Sequence, residues 1–432
     1  MSKMPELVEV TIEKLVYGGS GMARLDSGRT VFVDNALPGE RIIVRIARRR
    51  KGVLLAEPVE VISASPYRAL PPCSDERECT GATWAHISYN GQLKFKEEIL
   101  RDTLRHIAGI EAKRFLPIYP SPKKKYYRLR TQFNVRPSGN RQHIGFFRRS
   151  TYDLVEVENS LLLHPIINKI LRTLRKHILR LPMLEEIHVN VSPNGEAHIL
   201  FFSRHASYSN MENLFAALKE EAPELIGLFG YAGRRKVFSL GRDHLILEVG
   251  DISFRVTEGN FYQVNWEQNE NMVRTVTDFA APSAAGTVLD LYCGIGNFSL
   301  PLAKKAARVI GIESGYSAVE DAMANAVRNG LTNAEFIADD LQKGLKTLIQ
   351  RKVQADVVVL DPPRAGATLK TLERILAFVP KKIVYVSCNP STLARDLKYF
   401  RIFGFSLNRL QPIDMFPHTY HIECVAEMVR EA

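Results

Sequence analysis

The stretch Thr287-Val-Leu-Asp-Leu-Tyr-Cys-Gly-Ile-Gly-Asn-Phe-Ser299 constrains this chain more than any other. Val288 and Leu289 read as a short buried strand that ends at Asp290. Gly294 and Gly296 let the backbone turn tightly, and Phe298 to Ala307 resumes an apolar, helix-like pattern. Strand, glycine loop and helix make the first unit of an open α/β sheet, whose ligand lies at the carboxyl ends of the strands. Val309-Ile-Gly-Ile-Glu313 gives a second strand ending in an acid, which can accept hydrogen bonds from ribose hydroxyls. Strand-like segments at 334–337, 356–361 and 383–387 follow, alternating with helical stretches, and Asp340, Asp361 and Cys388 stand just after strands. The glycines do not spell G-x-G-x-x-G, so a nicotinamide or flavin nucleotide is not the first choice.

At 432 residues the chain has room for two or three domains. Its hydrophobic share of 45% and charged share of 24% suit a soluble globular protein. No stretch approaches about twenty apolar residues, and Met1-Ser-Lys-Met-Pro-Glu6 is no signal peptide, so a cytoplasmic protein without a membrane partner is expected. Five cysteines are too few for a disulfide framework and matter, if at all, as thiols or metal ligands. The net charge is +11, and basic clusters recur: Arg48-Arg-Arg-Lys51, Lys123-Lys-Lys125, Arg148-Arg149 and Arg234-Arg-Lys236. Such clusters release counterions on meeting phosphates, and their spread over the first half favours a large nucleic acid over a small acidic ligand.

Residues 1–65 read as an OB-like β-barrel. Val8-Glu-Val-Thr-Ile-Glu13 alternates with period two, Gly18-Gly-Ser-Gly21 turns, and Thr30–Val33, Arg41–Ile46 and Val53–Val61 read as further strands. The run from Tyr17 to Arg24 and from Val31 to Glu40 resembles the TRAM domain of RNA-modifying enzymes. Pro66 to Pro72 is a linker, and residues 73–255 read as a central α+β domain. Within it Ser88 to Ala108 has helical apolar spacing, and Tyr127 to Val135 alternates apolar residues with Arg128 and Arg130. Residues 256–432 form the α/β domain, closed by an antiparallel pair, Phe405 to Asp414 with Glu423 to Val429.

Chemistry concentrates in that last unit. Asp361-Pro-Pro-Arg364 follows the apolar strand Val357-Val-Val-Leu360, and its prolines fix an extended loop that holds the Asp361 carboxylate at the strand end. Ile383-Val-Tyr-Val-Ser-Cys-Asn-Pro390 delivers one cysteine to the same sheet edge. A lone cysteine is ordinarily a small core residue, but the loop formers around Cys388 set it in the cleft, where a thiolate is the good nucleophile available. Glu423 reads as a base. His418 and His421 have no third ligand at a fitting spacing, so no metal site is expected.

The pattern D-x-x-C-G-x-G-x-F from Asp290 to Phe298 resembles motif I of S-adenosylmethionine (AdoMet) methyltransferases, which implies a Rossmann-like fold. With Phe261-Tyr-Gln-Val-Asn265, Asp361-Pro-Pro-Arg364, Ser387-Cys-Asn-Pro-Ser-Thr-Leu-Ala-Arg-Asp396 and Met415-Phe-Pro-His-Thr-Tyr-His-Ile-Glu423, it resembles the RNA uridine-5-methyltransferase family. The resemblance implies that Gln263, Tyr292, Asn297, Glu313, Asp340 and Asp361 contact AdoMet, with Cys388 as nucleophile and Glu423 as base. At the position of Asp340 the family often carries Asn. Members often bind a [4Fe–4S] cluster through C-x5-C-x2-C and a distant cysteine. Here Cys73 and Cys79 are present, Ala82 stands third and the distant region reads Asn159-Ser-Leu161, so the cluster reads as lost. The N-terminal barrel favours 23S ribosomal RNA as target. A tRNA T-loop uridine is the alternative, and an RNA-binding protein without turnover is a third reading that the intact Cys388 and Glu423 oppose.

Overall fold

A computed structural model describes residues 7–50, 52–73, 81–138, 141–148, 151–177, 184–204 and 208–431. Lys51, Cys79 and Arg149 lie outside the described residues. An eight-stranded sheet organises the C-terminal half. Ala334–Ala338, Arg308–Glu313, Thr287–Leu291, Val357–Leu360 and Lys382–Ser387 lie side by side and parallel. Glu423–Arg430 then pairs antiparallel with Lys382–Ser387 and with Phe405–Ile413, as the terminal pair in the sequence predicted. Arg114–Phe115 adds a last short strand beside Phe405–Ile413.

From Thr287–Leu291 the chain moves outward through two strands on one side and then returns to the other side with Val357–Leu360. That reversal opens a crevice at the carboxyl ends of the two central strands, where Asp290 and Asp361 stand. Parallel strands covered on both faces need continuous apolar runs, and Val357–Leu360 is buried at every position. Leu289, Leu291, Val358 and Leu360 face one core with the helices Leu341–Gln350, Leu369–Leu376 and Pro390–Ile402. Val288, Val357 and Val359 face the other, against Trp266–Ala280 and Tyr316–Arg328.

Two segments that the sequence assigned to the central unit pack on this sheet instead. The helix Tyr89–Thr103 buries Phe95, Ile99 and Leu100 in the core shared with Leu397 and Phe400. The hairpin His244–Val249 with Ile252–Thr257 buries Leu245, Leu247 and Phe254 against Met272 and Val276. Helical or alternating spacing reports an apolar face but not the surface that it meets.

The central sheet has seven strands between Arg130 and Gly241, with Pro165–His177 and Met211–Glu221 over one face. The helix Met211–Glu221 and the strand Leu225–Ala232 carried no reading in the sequence. Residues 7–63 curl into a six-stranded sheet around Val10, Ile12, Val31, Val33, Ile42 and Val44. It is pinned to the linker by the buried Glu40 carboxylate, whose oxygens accept from Arg68 Nε at 2.5 Å and Nη2 at 2.7 Å. Burial pushes Glu40 up, but Arg68 and the Leu37 and Ser65 amides outweigh it and hold the carboxyl below its usual range.

Candidate active site

The glycine loop does what its sequence requires. Gly294 and Gly296 have φ of 54° and 92°, and Tyr292 has φ of 63°, a left-handed conformation uncommon outside glycine. The amide of Tyr292 donates to the Ile312 carbonyl at 3.0 Å, and the amide of Gly294 to Glu313 Oε2 at 3.3 Å. Glu313 Oε1 accepts from the Gly315 amide at 2.8 Å, so the acid bridges the first two strand ends.

A small cavity beside this loop is lined by Phe261, Gln263, Tyr292, Gly294, Asn297 and Asp361, together with Trp266 and Phe298. Four of the residues expected at the cofactor, Gln263, Tyr292, Asn297 and Asp361, therefore meet, and Glu313 touches their loop. Asp340 is not among them. It is exposed, and its carboxylate caps the helix Leu341–Gln350 by accepting from the Gln342 and Lys343 amides. The segment Phe261 to Asn265 is held at alternate points. Tyr262 is buried, its hydroxyl donating to the Val191 carbonyl at 2.9 Å, and Asn265 caps Trp266–Ala280. Phe261, Tyr262 and Gln263 all reach the cavity.

Asp290 is fully buried beneath the loop, with Oδ2 accepting from Ser299 Oγ at 2.5 Å and Oδ1 without a partner among the described residues. Burial, with Glu313 adding to it, pushes Asp290 up to about 7, and burial and Asp290 raise Asp361 likewise.

Cys388 and Glu423 come together at the neighbouring strand ends. Ser387 pairs with Cys424, and Cys388 and Glu423 are the next residues beyond that pair on the two neighbouring strands. Glu423 is buried, and burial followed by Asp361 raises its carboxyl well above the usual range. The half-buried Cys388 thiol is pushed up to about 12 by burial and then by Glu423 and Asp361, with Arg364 pulling the other way. The Arg364 loop is clamped to the helix Pro390–Ile402: Asn389 Nδ2 donates to the Arg364 carbonyl at 2.9 Å. Asp396 Oδ2 accepts from the Ala367 amide at 2.9 Å and the Tyr385 hydroxyl at 2.7 Å.

The loop that leads to Glu423 is pinned from below by groups that the sequence reading missed. Lys96 Nζ lies 2.6 Å from Asp414 Oδ1, both side chains fully buried, and also donates to the Phe416 carbonyl at 3.0 Å. Gln92 accepts from the His418 amide at 2.7 Å. Positions 92, 95, 96, 99 and 100 form one buried stripe, so a lysine and a glutamine inside an apolar spacing were the available signal. Among the described residues no group of three or more His, Cys, Asp or Glu could hold a metal.

Beside this loop a cleft of about 840 Å³ opens between the barrel, the central sheet and the catalytic unit. Asn35, Arg128, Arg130, Phe147, Phe261 and Tyr420 contribute to its walls. Phe261 is 60% exposed, and the Arg130 guanidinium lies 4.8 Å from its ring centre. Exposed rings beside guanidinium groups suit unstacked bases and phosphates.

Comparison with known proteins agrees with this arrangement. Residues 88–430 match the tRNA (uracil-5-)-methyltransferase family, and residues 6–59 match the TRAM domain. The chain belongs to the uracil-5-methyltransferase family. An uncharacterized RNA methyltransferase of Aquifex aeolicus is 36% identical over 97% of both chains, and one of Caldanaerobacter subterraneus is 35% identical over 99% of both. The crystal structure of the Pyrococcus abyssi tRNA (uracil-54, C5)-methyltransferase with S-adenosyl-L-homocysteine superposes with a TM-score of 0.76 at 25% identity, covering 97% of this chain and 99% of that one. This uracil-5-methyltransferase is thus an AdoMet-dependent α/β enzyme that acts on RNA. Its glycine loop, the acid at the second strand end and the unpartnered buried Asp290 Oδ1 fit a polar nucleoside cofactor. No helix among the described residues of the methyltransferase is long and apolar enough to cross a membrane.

Proposed function

We propose that this methyltransferase makes 5-methyluridine in a folded RNA by covalent catalysis, with Cys388 as nucleophile and Glu423 as base. The observation that carries the reading is the placing of these two side chains on adjacent strand ends, beside the loop of Asp361 and the cavity of Tyr292. C5 of uracil is a poor nucleophile. Addition of the Cys388 sulfur at C6, with loss of the thiol proton, converts the ring to an enolate with carbanion character at C5. Bound AdoMet would supply an electrophilic methyl group to C5, its sulfonium S–CH3 bond breaking to leave S-adenosyl-L-homocysteine. Glu423 then removes the C5 hydrogen as a proton, the C6–S bond breaks and the cysteine leaves. Burial and Asp361 raise the Glu423 carboxyl above its usual range, so its carboxylate, once formed, is a stronger base than a solvated one. Gln263, Tyr292, Asn297, Glu313 and Asp361 would hold the cofactor, with Asp340, whose carboxylate caps a helix, at most a peripheral contact.

A paired or stacked uridine cannot reach Cys388, so the target is splayed out at a cost of a few kcal/mol. In this reading the barrel and the central sheet grip the flanking RNA along the arginine- and aromatic-lined cleft. Ribosomal 23S RNA is the first target, in a cytoplasmic enzyme. The barrel favours that target, yet the Pyrococcus enzyme named for tRNA aligns over nearly the whole of both chains, which favours a T-loop uridine as second reading. Mapping 5-methyluridine in rRNA and tRNA from cells with and without the gene separates them. Loss from one rRNA position supports the first reading, loss from the T-loop the second, and no loss from either leaves an RNA-binding role.

A further inference from the structure

We infer that Tyr17, supplied by the N-terminal barrel, is a positioning residue for the nucleophile: its hydroxyl holds the Cys388 carbonyl and so fixes the direction in which the thiol points. The inference rests on the reading of Cys388 as nucleophile and extends the active site to a domain otherwise expected only to grip RNA.

The contact joins residues at opposite ends of the chain. Tyr17 Oη donates to the carbonyl oxygen of Cys388 at 3.1 Å. Tyr17 lies in the turn between Lys14–Leu15 and Gly21–Arg24, closed by the Val16 amide on the Ser20 carbonyl and the Gly19 amide on the Val16 carbonyl, both at 3.0 Å. Gly19 has φ of 91°, and a Cβ there would stand 2.9 Å from Trp84 Nε1 and 3.0 Å from Tyr420 Cβ. Only glycine lets the turn come so close to the loop that leads to Glu423. The Tyr17 ring is half-buried and meets Tyr420 edge-on, with centroids 6.3 Å apart. Burial, with Cys388 adding to it, pushes the phenol up to about 12, so it stays a donor at neutral pH.

The backbone after Cys388 is already held. Ser387 Oγ donates to the Asn389 carbonyl at 3.1 Å, and Asn389 caps the helix Pro390–Ile402. With the Tyr17 hydroxyl on the Cys388 carbonyl, the peptide units around the thiol have their orientation set before RNA arrives. A sulfur that must approach C6 along one direction gains rate from such fixing, whereas RNA affinity does not depend on it.

Tyr17→Phe removes the hydroxyl and keeps the ring that docks the barrel. The experiment compares this full-length variant with the wild type on RNA carrying 5-fluorouridine at the target, where the missing C5 hydrogen traps the adduct on Cys388. Binding of RNA and AdoMet should be unchanged. The adduct rate on this RNA, and kcat on the same RNA carrying uridine, should fall about fivefold to tenfold, the worth of one hydrogen bond, with KM on the uridine RNA unchanged. Should Tyr17→Phe lower thermal stability, p-aminophenylalanine at position 17 restores a donor, and recovery of the rate then supports positioning. An adduct rate equal to wild type in Tyr17→Phe, or a loss confined to RNA affinity, overturns the inference. If the wild type itself forms no adduct, the reading of Cys388 fails instead.

Discussion

Cys388 and Glu423 lie one residue beyond the antiparallel pair of Ser387 and Cys424, at the ends of two neighbouring strands. Two strands distant in sequence thereby bring a thiol and a carboxyl to one end of the sheet. The proximity shows electrostatically as well, since Glu423 raises the half-buried Cys388 thiol and Asp361 raises both it and the buried Glu423 carboxyl. Burial, then Glu423 and Asp361, push the Cys388 thiol up to about 12, so under the proposed mechanism it must lose its proton as the sulfur adds to C6.

Cys388→Ser should therefore abolish methyl transfer, because a serine hydroxyl is hardly ionised and a weaker nucleophile. AdoMet and RNA binding should stay at wild-type levels. Methyl incorporation into RNA checks the first and titration calorimetry the second. Substantial turnover in this variant removes Cys388 from the chemistry.

The buried Asp290 should make stability depend on pH. Its folded pKa, about 7, lies above the unfolded carboxyl value, so the folded state holds the proton more tightly. The stabilisation is complete below the unfolded pKa, about 3.9, and is lost as pH rises through the folded one. Asp290→Asn cannot ionise. The melting temperature of the wild type should thus fall relative to Asp290→Asn between mildly acidic and mildly alkaline buffer. A difference that does not change with pH contradicts the assignment.

Lys96→Ala should leave Asp414 as an uncompensated charge in a site where both partners are fully buried. A loss of about 3–5 kcal/mol in urea unfolding is expected. The loop to Glu423 should loosen with it, since Lys96 also holds the Phe416 carbonyl. A loss below about 1 kcal/mol would show that water replaces the ammonium.

Arg128 lines the cleft. Arg128→Ala should weaken binding to all RNA sequences similarly and lower the slope of log affinity against log salt by about 1, as one lost phosphate contact does. An unchanged slope would place the RNA elsewhere.

The catalytic half was legible because its physics is local. Val357–Leu360 is apolar throughout, as a covered parallel strand must be, and Asp290, Glu313, Asp361 and Cys388 stand at or just after strand ends. Contacts between units were not legible. The apolar stripe of Tyr89–Thr103 fits any sheet of the right shape, and only the fold assigns it to Leu397 and Phe400. Arg114–Phe115 is too short to carry an alternation. Tyr17 meets Cys388 across 371 positions, a distance over which no periodicity speaks. Asp340 shows the reverse limit, where a family position is filled by a residue whose carboxylate caps a helix.

The central claim, covalent catalysis by Cys388 with Glu423 as base, is tested most directly by Glu423→Gln on target RNA with AdoMet. Glutamine cannot take the C5 proton, so addition and methyl transfer should proceed and elimination should stall. A denaturing gel should show protein shifted by bound RNA, and the shifted band should vanish when Cys388→Ser is combined with Glu423→Gln. Normal turnover by Glu423→Gln with no shifted band would contradict the account.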